Sequence, residues 1–530
     1  MGGNAQPRWF AANVPTLLRL FLPLWAAVGV VSCVSTQRLD SDVRRTVQQE
    51  AARSLPAQTN MLTDAAAVMA ENRRTLPDLQ VDLDGALRLA TRYSRALQSK
   101  REQLYLGGLD RLTALRKFGP QYSGTLDYLL TKPAGGADQN DTALGLKASQ
   151  ILPTGGTLSA DGAATMSRGS GDTNATYSRS GELTLRQPLL AGAGYEVSHA
   201  DLIQSERNLI YTLRAFTMDR QDFAIGILKS YYGLLIEDAV LANTRQNVDQ
   251  STFLRRRSEA LFRIRRAPSI DVLRSQQQEL SASNDLNQAE AQYDVDRRRF
   301  LIDLGLPADS TLHVTGQVPE LRPLDLTLET CLTLALQRRL DLRTVEDRLE
   351  DARRGLRIAR RALLPKVDAF ATASGEGQSP DSVTGGDTAK EYTAGVSVDL
   401  SLDKRPERDA VKRALIGVDA AERALTEIRD TIRVSIMDSF RTFASLRQAA
   451  GIEFQNTEIA RRQAAYAALR FRNGEADNRD VVDAQNQLLA ARNTYVRALV
   501  QYEQQRVQLL RDVGLLDIAA DGTLVETKAP

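Results

Sequence analysis

The chain has 530 residues, of which 42 % are hydrophobic, 5 % aromatic and 25 % charged. Its formal net charge is +2, so charge offers no bulk case for nucleic acid as a partner. Two histidines, His199 and His313, and two cysteines, Cys33 and Cys331, supply neither a metal-ligand cluster nor a disulfide framework, and no cofactor is expected.

Arg8 and Arg19 precede an apolar run over 20–31 that is too short to span a bilayer comfortably. It reads as a secretory signal over 1–32. The run ends at Val30-Val31-Ser32-Cys33, where a small residue before a cysteine resembles a bacterial lipobox, with lipid attached to Cys33. The alternative is an ordinary signal peptide with a chance cysteine. Residues 33–78 are polar, broken by Pro56 and Pro77, and read as a tether with a short helix or two.

The first amphipathic helix opens at Leu83, with Leu83, Ala86, Leu87, Ala90 and Leu97 at helical spacing. A matching segment opens at Leu328, and the offset of 245 residues persists to Pro120 and Pro365. Cys331 falls among Leu328, Leu332 and Ala335 as a buried helical thiol. From His199 and Arg408 onward the offset is 209, and it holds to Gly305 and Gly514. The chain is therefore two repeats, 79–320 and 321–516, with a tail over 517–530. The offsets of 245 and 209 differ by 36 residues, all of which fall in the first repeat between Pro120 and His199.

That interval alternates as strands do. Tyr122, Leu126, Tyr128 and Leu130 alternate with Ser123, Thr125 and Asp127. Further strands are expected over 142–152, 157–166 and 182–189, with a tight turn at Pro153-Thr154-Gly155-Gly156. The second repeat holds two, over 367–374 and 392–402. One apolar and one polar face suit a membrane barrel with a wet lumen, and also a soluble sandwich; periodicity alone does not separate them. Short turns alternating with long polar loops favour the barrel.

Residues 199–262 form one helical pattern of 64 residues, about 95 Å long. The pattern from Glu407 to Phe471 is similar, and the returning helices are half that length. This predicts a long helix descending from the strands, turning, and climbing back in two stacked pieces, 271–303 followed by 328–364. Helices of this length need neighbouring copies to complete their packing. The two turns match: Phe262-Arg263-Ile264-Arg265-Arg266-Ala267-Pro268 and Phe471-Arg472-Asn473-Gly474. Gly474 supplies a stop, and Asp477 and Asn478 can cap the next helix.

Several features together resemble the TolC-like outer membrane factor family: Leu83–Ala90 with its Leu328 counterpart, Gln187-Pro188-Leu189-Leu190-Ala191-Gly192-Ala193-Gly194 after a strand, Phe-Arg-Asn-Gly followed by Asp-Val-Val-Asp-Ala-Gln, and Leu-Gly-Leu-Pro from Leu304. The resemblance covers about 78–516. It implies an α+β membrane protein, a homotrimer whose long antiparallel helices build a coiled-coil-like α-barrel and whose inserted strands share one transmembrane β-barrel. It implies a passive duct across periplasm and outer membrane, in contact with outer-membrane lipid. The partners would be a periplasmic adaptor (membrane fusion protein) and an inner-membrane transporter. The tip turns, with Arg265, Arg266, Asn473 and Gly474, would dock the adaptor.

Asp480 and Asp483 match the family's acidic positions after the second turn. At i and i+3 they share a helix face, and three copies would stack two carboxylate rings that attract cations. Asp271 matches in the first repeat and would bond across helices to hold the tip shut. The plainer role for all three is to complement a helix dipole. Arg265 departs from the family's glycine; arginine enters the left-handed region at a cost, so this turn is expected to be built differently. The competing function is a non-conducting structural or adhesive lipoprotein. Enzyme chemistry is not expected, since no Ser/His/Asp set or phosphate loop is present in the sequence.

The family's usual protomer contributes four strands, twelve per trimer. The 36 extra residues have the length of one more hairpin, which predicts six strands per chain and eighteen in a trimer if all join. The alternative packs 122–152 as a hairpin outside a twelve-stranded barrel.

Overall fold

The computed structural model describes residues 36–54, 79–132, 139–169, 175–266, 268–380, 388–473 and 475–527. Helix α1 (Thr36–Ser54) precedes strand β1 (Leu79–Val81). The first repeat then runs through α2 (Leu83–Tyr93), α3 (Arg95–Arg116), β2 (Gln121–Thr131), β3 (Gln139–Ile151), β4 (Thr157–Gly169), β5 (Thr176–Pro188), a single turn α4 (Tyr195–Ser198), α5 (Ala200–Arg263) and α6 (Ser269–Leu304). After β6 (Leu312–Val314) the second repeat has α7 (Leu328–Arg338), α8 (Leu340–Ala362), β7 (Lys366–Ser379), β8 (Thr388–Asp399), α9 (Arg405–Asn473) and α10 (Asn478–Val513). A short hairpin, β9 (Leu516–Ile518) with β10 (Leu524–Glu526), follows.

The repeat is visible in the caps. Asp82 Oδ1 accepts from Gly85 N at 2.8 Å to start α2, and Thr327 Oγ1 accepts from Thr330 N at 3.2 Å to start α7. Helices α6 and α10 both end on a left-handed glycine, Gly305 at φ 83° and Gly514 at φ 78°. Neither glycine can carry a side chain. A Cβ on Gly305 would lie 2.1 Å from the Tyr93 carbonyl oxygen, and one on Gly514 would lie 2.9 Å from Arg338 Cβ.

Those two contacts decide how the half-length helices stack. The end of α6 abuts the α2–α3 junction, so α6 lies beneath α3; the end of α10 abuts the α7–α8 junction, so α10 lies beneath α8. The stack expected from chain order, α6 continued by α8, is therefore corrected. Each short helix meets the upper helix that precedes its own hairpin in the chain. The result is four helix columns in the order α3 over α6, then α5, then α8 over α10, then α9. The repeats meet in one core at mid-height, where Leu87, Leu228, Phe300, Cys331, Ile436 and Tyr502 are all buried. Burial pushes the Cys331 thiol pKa up.

Part of the expected tether is a packed element. Val43 and Val47 of α1 are buried against Leu104, Leu209 and Leu213, and a Cβ on Gly108 would meet both valines at 2.9 Å. Residues 1–35, including the signal region and Cys33, lie outside the described residues.

The strands form one antiparallel sheet in the order β2-β3-β4-β5-β7-β8. Six strands are thus present in a single sheet, four from the first interval and two from the second. All six are 11 to 14 residues long, enough to cross a bilayer when tilted. The turn at 153–156 brings β4 back beside β3. Leu152 N donates to Gly156 O at 2.7 Å, and Gly155 takes φ 91°. Gly194 N donates to Thr154 O at 3.0 Å, which ties that turn to the helical side of the sheet. At the same junction the His199 ring is stacked between Phe118 and Tyr195, with centroids 4.0 and 4.1 Å away.

Candidate functional site

The pairing register sorts the sheet into two faces. One row across all six strands is Tyr122, Ala148, Ala160, Leu183, Ala373 and Tyr392. The adjacent row on the other face is Ser123, Lys147, Asp161, Glu182, Ser374 and Glu391. On the apolar face Tyr122 is 77 % exposed, Leu126 64 %, Leu183 50 % and Tyr392 78 %. A sandwich would cover these side chains with a second sheet. Here no layer of the described chain covers them, so the apolar face is one that lipid would cover.

The polar face is the concave one. Ser123, Lys147, Asp161, Glu182 and Glu376, from five different strands, line a single hollow of about 370 Å³. Along its whole height this face carries Asp127, Asp141, Asp161, Glu182, Asp368, Glu376, Glu391 and Asp399, against Lys147, Arg186 and Lys366. Eight carboxylates against three bases leave five negative charges per chain. Lys147 is paired with Asp161 and Arg186 with Asp368, each at 3.3 Å. The remaining field favours cations.

At the far end the two hairpins turn. Leu261 and Phe262 carbonyls accept from Arg266 N at 2.8 Å and Arg265 N at 2.9 Å, the bond pair that closes a helix on a left-handed residue. That residue is Arg265, at φ 58°. The second turn makes the same six-residue bond 209 residues on, Glu475 N to Arg470 O at 2.9 Å. The expectation of a differently built first turn is therefore corrected: the hydrogen-bond pair holds arginine where glycine would sit. Gly474 and Ala267 lie outside the described residues. The Arg257 guanidinium lies 4.6 Å above the Phe471 ring and joins the two turns.

Asp480 and Asp483 are both exposed on α10, beside the buried Val481 and Ala484. Asp483 lies 3.5 Å from Arg479 on its own helix. Asp271 lies 3.8 Å from Arg274, also on its own helix. Asp477 occupies the N-cap position of α10 without a side-chain capping bond. Arg265, Arg266 and Asn473 are exposed at the tip.

Two features escaped the sequence. The strand carboxylates alternate with apolar residues, which was a usable signal, but assigning them to one face needed the register. Arg506 of α10 is 4 % exposed and bonds both carboxylate oxygens of Glu503, at 2.8 and 2.9 Å, and those of Glu526, at 3.0 and 2.6 Å. Nothing in the sequence pairs residues 506 and 526.

Residues 331–515 match the outer membrane efflux protein family. This segment is similar to outer membrane efflux protein domains. More than four fifths of the chain shares its fold with solved outer-membrane channels. Solved structures similar to it include the outer-membrane channel OprN, at 16 % identity and TM-score 0.61, covering 86 % of this chain and 97 % of that one. The CmeC outer membrane channel of Campylobacter jejuni matches at 14 % identity and TM-score 0.61, covering 82 % of this chain and 85 % of its own. The MtrE outer membrane channel of Neisseria gonorrhoeae, solved in an open state, matches at 13 % and 0.59, covering 82 % and 88 %. No curated protein matches the sequence. In this fold the sheet stands at one end of the helices and the paired turns at the other.

Proposed function

We propose that the protein is a trimeric outer-membrane channel of an efflux or secretion system. It conducts cargo passively from an inner-membrane transporter and its periplasmic adaptor. The observation that carries this reading is the two-faced sheet: exposed apolar side chains on one face, a concave acidic lining on the other, standing directly on the helix columns. A structural or adhesive lipoprotein has no use for a polar hollow continuous across the strands. The repeats 79–320 and 321–516 each supply one hairpin to the tip, where Arg265, Arg266, Asn473 and Gly474 meet the adaptor.

In the trimer Asp480 and Asp483 ring the axis, and Asp271 secures the closed tip. Replacing Asp480 and Asp483 together by Asn weakens block by multivalent cations in planar-bilayer conductance. Cation preference falls only in part, because the lumen acids remain. Unchanged block would return both residues to a helix-dipole role. Lipid on Cys33 adds a second anchor to barrel insertion. Mass spectrometry of the mature N-terminus shows an acylated Cys33 if this is right and an unmodified one if not.

A further inference from the structure

The sheet has two free edges, and both are unprotected. β2 is exposed along its whole length, and β8 nearly so. Natural edge strands are often kept short or carry proline or bulges; these are 11 and 12 residues long and without proline, and their charges are Asp127 on β2 and Lys390, Glu391 and Asp399 on β8. Because the number of strands is even, β2 leaves the helices while β8 returns to them, so β2 of one copy meets β8 of another in antiparallel sense. The helices beneath agree. The columns at the two flanks are α3 over α6 and α9, so the same neighbour is met at both levels.

We propose that the extra hairpin, β2 with β3, is part of the barrel wall, and that three copies close into eighteen strands through three β2–β8 seams. This rests on the outer-membrane channel reading above. Two geometric facts carry it. The first is shear. Pairing followed across the sheet from Gln121, the first residue of β2, passes through Ser149, Ser159, Thr184 and Thr372 to Thr393. β8 ends at Asp399, six residues beyond Thr393. Both Gln121 and Asp399 sit at the helical end of their strands, so setting them side by side makes the sheet climb six residues over six strands. One residue of shear per strand is the ratio of a barrel whose strands tilt by about 36°. The chain's own register therefore already has the stagger that a closed barrel requires.

The second is girth. At about 4.8 Å between strands and about 36° of tilt, six strands occupy roughly 36 Å of circumference, and four would occupy roughly 24 Å. Four helix columns spaced about 9 Å apart occupy roughly 36 Å. At that tilt six strands match the layer that carries them; four would match it only at a much steeper tilt, about 58°. Closure gives a backbone diameter of about 34 Å, half again that of twelve strands at the same tilt. The lumen is then wide enough that the helical tip, not the membrane segment, sets the size limit for cargo.

The test is disulfide trapping in the full-length chain, extracted from outer membranes as an assembled trimer. Ser123→Cys is combined in turn with Gly395→Cys, Ser397→Cys and Asp399→Cys, all on the lumen face. The expected result is a covalent dimer and trimer on a denaturing gel from one of the three pairs, and none from the single variants. Ser159→Cys with Ser397→Cys tests the competing wall, in which β4 is the edge and the first hairpin lies outside twelve strands. Cross-linking by that pair in place of the β2 pairs overturns the proposal while leaving the channel reading intact. Cross-linking by neither in an assembled trimer overturns it too. A chain that never reaches the outer membrane defeats the channel reading itself.

Discussion

Helices α5 and α9 leave the same sheet, end at matching turns and have 64 and 69 residues, yet twenty residues of α5 are buried and only five of α9. The difference is one of place. α5 has a helix column on each side; α9 has one side covered and the other open. The open side is not polar. Ile452, Ile459 and Tyr466 recur every seven residues and are 56 %, 55 % and 62 % exposed. The opposite flank answers in kind, with Leu273 and Leu280 on α6 seven residues apart at 60 % and 72 %. Seven-residue spacing makes a straight seam for a second helix. The comparison teaches that burial in this fold follows position in the layer, and that the edge helix carries an apolar seam which the described chain leaves uncovered.

The largest test of that contrast lies inside the chain. Leu228 of α5 is 1 % exposed, and Leu228→Ala should cost about 2–5 kcal/mol in denaturant unfolding of the detergent-solubilised protein. Ile452→Ala on α9 should change the folding of the chain by no more than about 0.5 kcal/mol. Equal losses at both sites would dissolve the distinction.

A smaller effect, of about 1.5–3 kcal/mol per seam position, is expected between copies. Ile452→Glu with Ile459→Glu should shift the species from trimer to monomer in light scattering while far-UV circular dichroism keeps its helical signal. A trimer that survives both charges places the interface elsewhere.

The smallest effect concerns the column that separates the two long helices. Bonding to Arg506 of α10 holds the Glu526 carboxyl below the usual carboxylate range, against the burial that pushes it up. A depressed carboxylate stabilises fully above its unfolded value of about 4.3 and loses that contribution as pH falls through the folded value. Hydrogen exchange over residues 516–527 should therefore be flat from pH 7 to about 5, after correction for intrinsic rates, and lose protection below about 4. Protection that does not depend on pH in that window would show that β9 and β10 are held by apolar contacts alone.

Much of the fold was legible because its signals are local. Alternation placed six strands, although β3, β4, β5, β7 and β8 extend up to six residues beyond their expected bounds and β8 stops three residues short of its expected end, because strand ends carry no periodic signal. Glycine placed the turn at Gly155. Arg265 was misread because its left-handed geometry is enforced by backbone bonds to Leu261 and Phe262, which no residue preference reports. The acidic face was half legible: Asp161 and Glu182 alternate correctly within their own strands, but only their pairing shows that they line one face.

By itself the sequence determined the duplication, the lengths of the helices and the two-faced strands, since repeats and periodicities are properties of the chain alone. Only the tertiary structure decided which helix stands on which, that all six strands share one sheet, and that the polar face is the concave one. Those depend on contacts between residues far apart in sequence, such as Gly305 against Tyr93 and Glu182 beside Ser374, where packing and backbone pairing select among arrangements that the local signals leave equal.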